Sequence, residues 1–158
     1  MAIRHTPGVL ALSLLAAAAM AAELPREGEI DSRLCFGGPM HVVAAAPDAR
    51  FASYVVRGGT SATHPAFDSM AVECTGTFET RGGATQSLGY CVLRDTDGHA
   101  IYGSDSIGPE GYVWTYAGGT GKFAGISGQG RVERSGDLGP TATEMRGCRR
   151  FVGTYRMR

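Results

Sequence analysis

The feature that most constrains this chain is a symmetric pattern around Arg81-Gly82-Gly83-Ala84. On one side, Met70, Val72, Cys74 and Phe78 alternate with Ala71, Glu73, Thr75, Thr77 and Glu79. One face of such a strand is apolar and the other largely polar, as for a strand with one side in a core. A hairpin centred on Gly82-Gly83 pairs residues whose numbers sum to 165, and Cys74 and Cys91 do so. Directly opposed cross-strand Cβ atoms lie about 4.5–5.5 Å apart, and a non-hydrogen-bonded pair nearly reaches the closer approach a disulfide needs. Four cysteines allow three pairings. The hairpin arithmetic prefers Cys74 with Cys91, which leaves Cys35 with Cys148 to clamp the two ends of the domain. Four reduced, buried cysteines are the alternative.

Asp97-Gly98 is a second hairpin signal. Read as a two-residue turn, it pairs residues summing to 195 and places Leu93 beside Tyr102 on the inner face. Further strands are expected over His41 to Ala46, Phe51 to Arg57, Tyr112 to Ala117, Ser127 to Arg134 and Phe151 to Met157. Turn signals such as Pro47-Asp48, Gly58-Gly59, Pro109-Glu110-Gly111 and Gly139-Pro140 separate them. About eight short strands without a helical period predict an all-β fold, a sandwich or a closed antiparallel barrel. A barrel also removes exposed edges.

The first residues carry a different signature. Arg4 and His5 precede Val9 to Ala19, a run of 11 residues that is apolar but for Ser13, and Ala19-Met20-Ala21 follows. This is the three-part pattern of a secretory signal, and the run is too short for a membrane span of about 20 residues. Residues 1–21 are therefore expected to be a signal peptide, 22–33 a loose polar leader, and 34–158 the barrel domain. Secretion or periplasmic residence follows, and an exported chain with an even number of cysteines reads as a disulfide framework. The 158 residues carry 15 basic and 15 acidic groups. Such neutrality argues against nucleic acid as a partner.

Several motifs invite chemistry and receive a structural reading. Gly119-Thr120-Gly121-Lys122-Phe123-Ala124 formally matches a dinucleotide fingerprint, but Gly125, Gly128 and Gly130 follow where a helix should start. A tight turn with Phe123 packed against a barrel end is expected instead. Asp95-Thr96-Asp97-Gly98 resembles the opening of a calcium loop without its closing glutamate. His41, His64 and His99 are scattered, and no zinc spacing occurs. No metal and no cofactor are implied. Tyr112, Trp114 and Tyr116 share one strand face, and Tyr54 and Tyr102 are candidates to join them. Tyr54, Tyr102, Trp114 and Tyr116 form either the wall of an apolar ligand pocket or ordinary core. Arg146, Arg149, Arg150, Arg156 and Arg158 read as a solvated strand face.

Three stretches together resemble a known family: Glu73-Cys74-Thr75-Gly76-Thr77-Phe78, Gly89-Tyr90-Cys91 running to Asp97-Gly98, and Gly118-Gly119-Thr120-Gly121-Lys122-Phe123-Ala124-Gly125-Ile126-Ser127-Gly128. The last resembles the glycine-rich segment of plant allene oxide cyclases and dirigent proteins, and the pattern over residues 35 to 155 resembles small exported bacterial proteins with that barrel. The resemblance implies an eight-stranded antiparallel barrel. Plant members are often trimeric and guide reactive small molecules through cyclisation or coupling in an apolar cavity. Their catalytic residues do not carry over, because the matching segments are turns and strand ends. Three functions follow as expectations. The first is binding of a small apolar or aromatic molecule. The second is a cyclase or isomerase acting by confinement, with Asp95 as the one inward ionisable candidate and Glu73 placed on the outer face. The third is a non-catalytic structural or interaction protein of the envelope. A homo-oligomer is compatible with all three.

Overall fold

The computed structural model describes residues 24–136 and 138–158; the expected signal peptide lies outside them. Eight antiparallel strands run up and down in sequence order and close into a barrel. They are β1 (Glu27–Ala46), β2 (Ala49–Ala62), β3 (Ala71–Arg81), β4 (Ala84–Arg94), β5 (Ala100–Gly108), β6 (Gly111–Gly119), β7 (Ile126–Arg134) and β8 (Glu144–Met157). Among the described residues no helix is long and apolar enough to cross a membrane.

The first strand pairs with the last from Glu27↔Arg156 to Pro39↔Glu144, which closes the wall. The segment expected as a loose leader is thus strand from Glu27 onward. Its charged residues face out, where Arg150 donates to both Asp31 carboxylate oxygens at 2.9 and 2.6 Å, while Ile30 is buried. Cys35 and Cys148 are bonded across this same seam, at a sequence separation of 113. In the chain-entropy account a cross-link over about 100 residues stabilises by about 4.7 kcal/mol, more than one closing a short loop. The second disulfide joins Cys74 to Cys91, separation 17, on the inner face. Gly82 and Gly83, at φ 55° and 81°, make the left-handed two-residue turn that puts those cysteines opposite. Two disulfides suit an oxidising compartment.

The Asp97-Gly98 hairpin departs from the expected register. Gly98 alone adopts the left-handed conformation (φ 82°), and the loop holds three residues, Thr96-Asp97-Gly98, between Asp95 and His99. Asp95 stabilises it: its Oδ1 accepts from the backbone N–H of Asp97 at 3.0 Å and of His99 at 2.8 Å. A type I turn followed by a left-handed glycine competes with the two-residue turn for the same Asp-Gly signal. Pairs therefore sum to 194, and Leu93 faces Ile101. A slip of one residue exchanges the two faces of a strand. Ile101 is fully buried, and Tyr102, expected inside, stands 42% exposed on the outer wall.

One barrel end is plugged. Connections β2–β3 and β6–β7 each form a short 3-10 turn, Pro65–Phe67 and Gly121–Phe123. Their phenylalanines meet at 5.7 Å between ring centroids, and Tyr155 packs on Phe67 at 5.2 Å. Thr60 locks the first turn by donating to Phe67 O and accepting from Met70 N–H. Phe123 is thus core of a barrel end, as its glycine-rich surroundings predicted.

The register makes a direct prediction for chemical denaturation in urea. Ile101→Ala is expected to cost about 2–5 kcal/mol, as for other fully buried aliphatic truncations, and Tyr102→Ala less than about 1 kcal/mol. The reverse order would mean the two-residue turn.

Candidate functional site

With β5 in its observed register, Asp105 points into the barrel. It is 6% exposed, the one acidic or basic residue among the buried residues described. Its cross-strand neighbours are Gly89 on β4 and Trp114 on β6. Tyr112 donates its hydroxyl to Asp105 Oδ1 at 3.0 Å. Oδ2 lies 3.8 Å from Cys91 Sγ, whose sulfur, bonded to Cys74, has no proton to donate. Two glycines make the space. A Cβ at Gly89 would stand 2.5 Å from Asp105 Oδ2 and 2.7 Å from the Tyr54 hydroxyl, and one at Gly76 would collide with the same hydroxyl. Carboxylate and phenol thus occupy the volume of two missing side chains.

Burial governs the protonation of this group. It raises the Asp105 pKa, against the opposing effects of the Tyr112 hydrogen bond and of Arg149. It also raises the Tyr54 and Tyr112 phenols far beyond their ordinary range, with the nearby Asp105 charge adding to the effect. Both tyrosines therefore remain neutral donors at any physiological pH. Tyr116 is raised too, first by burial and then by Tyr155.

Asp105 opens on a small inner cavity of about 80 Å³, lined by Trp114, Tyr116, Phe151, Leu34 and Arg149 among others. That is room for a few waters and nothing larger. Trp114 and Tyr116 pack edge to face at 5.8 Å, and Tyr116 on Phe151 at 5.9 Å. Here the aromatic face read from the sequence is core. Beyond Arg149 the barrel widens into a mouth of about 780 Å³ at the end opposite the Phe67–Phe123 plug. Met40, Val42, Phe78, Ile107 and Met145 wall it, with Tyr54 and Arg149 at its inner limit. Of the four aromatic candidates, Tyr54 reaches the mouth, Trp114 and Tyr116 line the small cavity, and Tyr102 belongs to neither.

Arg149 corrects another expectation. Arg146, Arg150 and Arg156 do lie on the outer face, each with an acidic partner. Strand alternation turns Arg149 inward, where its guanidinium lies 5.5 Å from the Phe36 ring centre and donates to Cys148 O at 2.9 Å.

Asp95 sits at the plugged end, away from both cavities. Burial raises its pKa, but the Lys122 ammonium at 2.7 Å and the two N–H bonds of its loop outweigh that and hold it below the usual carboxylate range. Asp95, Asp97 and His99 could bring ligand atoms within 4.8 Å of one another. A cation there would compete with Lys122, and Asp95 Oδ1 is committed to the turn. A larger outer hollow, about 830 Å³ around Val55, Tyr90 and Tyr102, contains the exposed pair Arg57–Glu73, already satisfied at 2.8 Å. The mouth is the concave site in which polar groups converge on apolar walls. The chain matches no protein-family model, no curated protein and no solved structure.

The raised Asp105 pKa fixes a sign. In the unfolded chain the group titrates near about 3.9. Its favourable contribution is complete below that value and is lost as pH rises through the higher folded-state pKa. Asp105→Asn keeps an acceptor for Tyr112 and removes the titration. Between about pH 4 and pH 8 the variant is expected to gain thermal stability relative to the parent as pH rises. A constant difference in Tm across that range would contradict a buried, titrating Asp105.

Proposed function

We propose that this chain is an exported barrel that binds a small apolar or aromatic molecule at its open mouth. The observation that carries the reading is the mouth itself. Its volume of about 780 Å³ falls within the range of about 300–1,000 Å³ typical of small-molecule sites. Its walls combine the apolar Met40, Val42, Phe78, Ile107 and Met145 with hydroxyl side chains such as Thr80 and Ser87, and Tyr54 and Arg149 supply polar groups at its base. The signal-like start and the two disulfides support export. The up-and-down closed barrel agrees with the resemblance to the allene-oxide-cyclase-like family.

A second reading, an isomerase or cyclase, is favoured by one feature. A buried carboxyl of raised pKa with a tyrosine hydroxyl on it is a proton donor and acceptor held beside a cavity. In that reading Asp105 replaces Asp95 as the candidate group, with the substrate confined between Tyr54 and Arg149.

Calorimetric titration of the disulfide-bonded protein with the neutral probe 2-naphthamide tests the binding reading. Saturable one-to-one binding is expected, weakened at least about tenfold by Val42→Phe, which narrows the mouth without touching the inner residues. Binding that Val42→Phe leaves unchanged would place the ligand elsewhere.

A further inference from the structure

Among the described residues that border the mouth there are three cations and no acid. Arg50, Arg134 and Arg149 all border it. Seven of the chain's other cationic side chains, Arg57, Arg81, Lys122, Arg131, Arg146, Arg150 and Arg156, make ion pairs with acidic partners. Among the described residues none of the three mouth arginines does. The chain as a whole is neutral, with 15 basic and 15 acidic groups, so the excess is local.

The arrangement costs stability as it stands. Arg134 and Arg149 are directly opposite in the β7–β8 ladder and so share the inward face. Like charges directly opposite one another in a sheet repel. Arg149 spends one N–H on Cys148 O and lays its plane near Phe36, which leaves the rest of its donor fork unassigned. The inward Asp105 feels the Arg149 charge but accepts its hydrogen bond from Tyr112, and the two form no ion pair. A guanidinium pair beside apolar side chains matches the oxygens of an anion and the body behind them.

We infer that the mouth selects molecules with an apolar or aromatic body and one anionic group, a carboxylate or sulfonate, held between Arg134 and Arg149 with Arg50 at the rim. This rests on the mouth being the ligand site, and it adds the class of ligand. Met40, Phe78 and Ile107 receive the body.

Calorimetry with 2-naphthoate, 2-naphthalenesulfonate and neutral 2-naphthamide separates this inference from the reading beneath it. The two anions are expected to bind roughly tenfold or more tighter than the amide, because a hydrogen bond to a charged group is worth more than a neutral one. Their advantage should shrink between about 50 mM and about 500 mM salt, as screening reaches the exposed rim. Arg134→Gln with Arg149→Gln should abolish it. Because Arg149 is half-buried, the exposed pair Arg50→Gln with Arg134→Gln is measured too and should reduce it several-fold with a Tm no lower than the parent's, since it removes the Arg134–Arg149 repulsion. Equal affinity for the anions and the amide would overturn the inference and leave the ligand site standing. Tighter anion binding untouched by both double variants would also overturn it. No binding of any of the three probes would overturn the ligand site itself.

Discussion

Closure of the β1–β8 seam is the constraint on which the rest of the molecule depends. An open sheet can slide or fray at its edges, whereas a closed one has a single inside, and every residue must be on one side of the wall. Backbone pairing from Glu27↔Arg156 to Pro39↔Glu144, the Asp31–Arg150 fork and the Cys35–Cys148 bond all act on this one line. The cross-link spans nearly the whole described chain, so it restricts the unfolded ensemble most. With the seam shut, the aromatic plug fills one end and the opposite end stays wide.

The polar base of the barrel follows from that enclosure. A carboxylate removed from water without a partner is expensive, and the protein lowers the cost in two ways. Tyr112 supplies a donor, and burial shifts Asp105 toward its neutral form. Gly76 and Gly89 contribute by omission, since side chains there would displace the Tyr54 hydroxyl or the carboxyl. The two glycines weaken their strands slightly in exchange for a polar group that points at solvent-sized space. Carboxyls shifted in this way, buried and beside a cavity, cluster at functional sites and also occur in structural networks.

What could be read from the residues depended on how unambiguous each turn was. Gly82-Gly83 admits one tight hairpin, so the Cys74–Cys91 pairing, the inward Val72 and the outward Glu73 followed by counting. Pairing Cys35 with Cys148 then followed by elimination. Asp97-Gly98 admits two hairpins that differ by one residue. The Asp95 side chain selects the longer one through bonds to N–H groups that no hydropathy pattern encodes. That slip moved Tyr102 outside and hid Asp105, which the shorter turn would place in solvent. A signal existed, because Ile101 is the better core residue of the pair Ile101-Tyr102. Arg149 is hidden among its arginine neighbours for a related reason: the cluster reads as one face although strand alternation divides it. The polar start of β1 looked loose because its stability comes from β8, more than a hundred residues away.

The carboxyl group of Asp105 reports on register, closure and enclosure at once. Its titration, followed by carbon NMR on selectively labelled protein, is the most direct test. An inward Asp105 in a closed barrel titrates with a midpoint clearly above the ordinary aspartate value of about 3.9 and moves in step with the Tyr112 ring signals. A midpoint at or below that value, with Tyr112 unaffected, would put residue 105 on the outer wall and contradict the account.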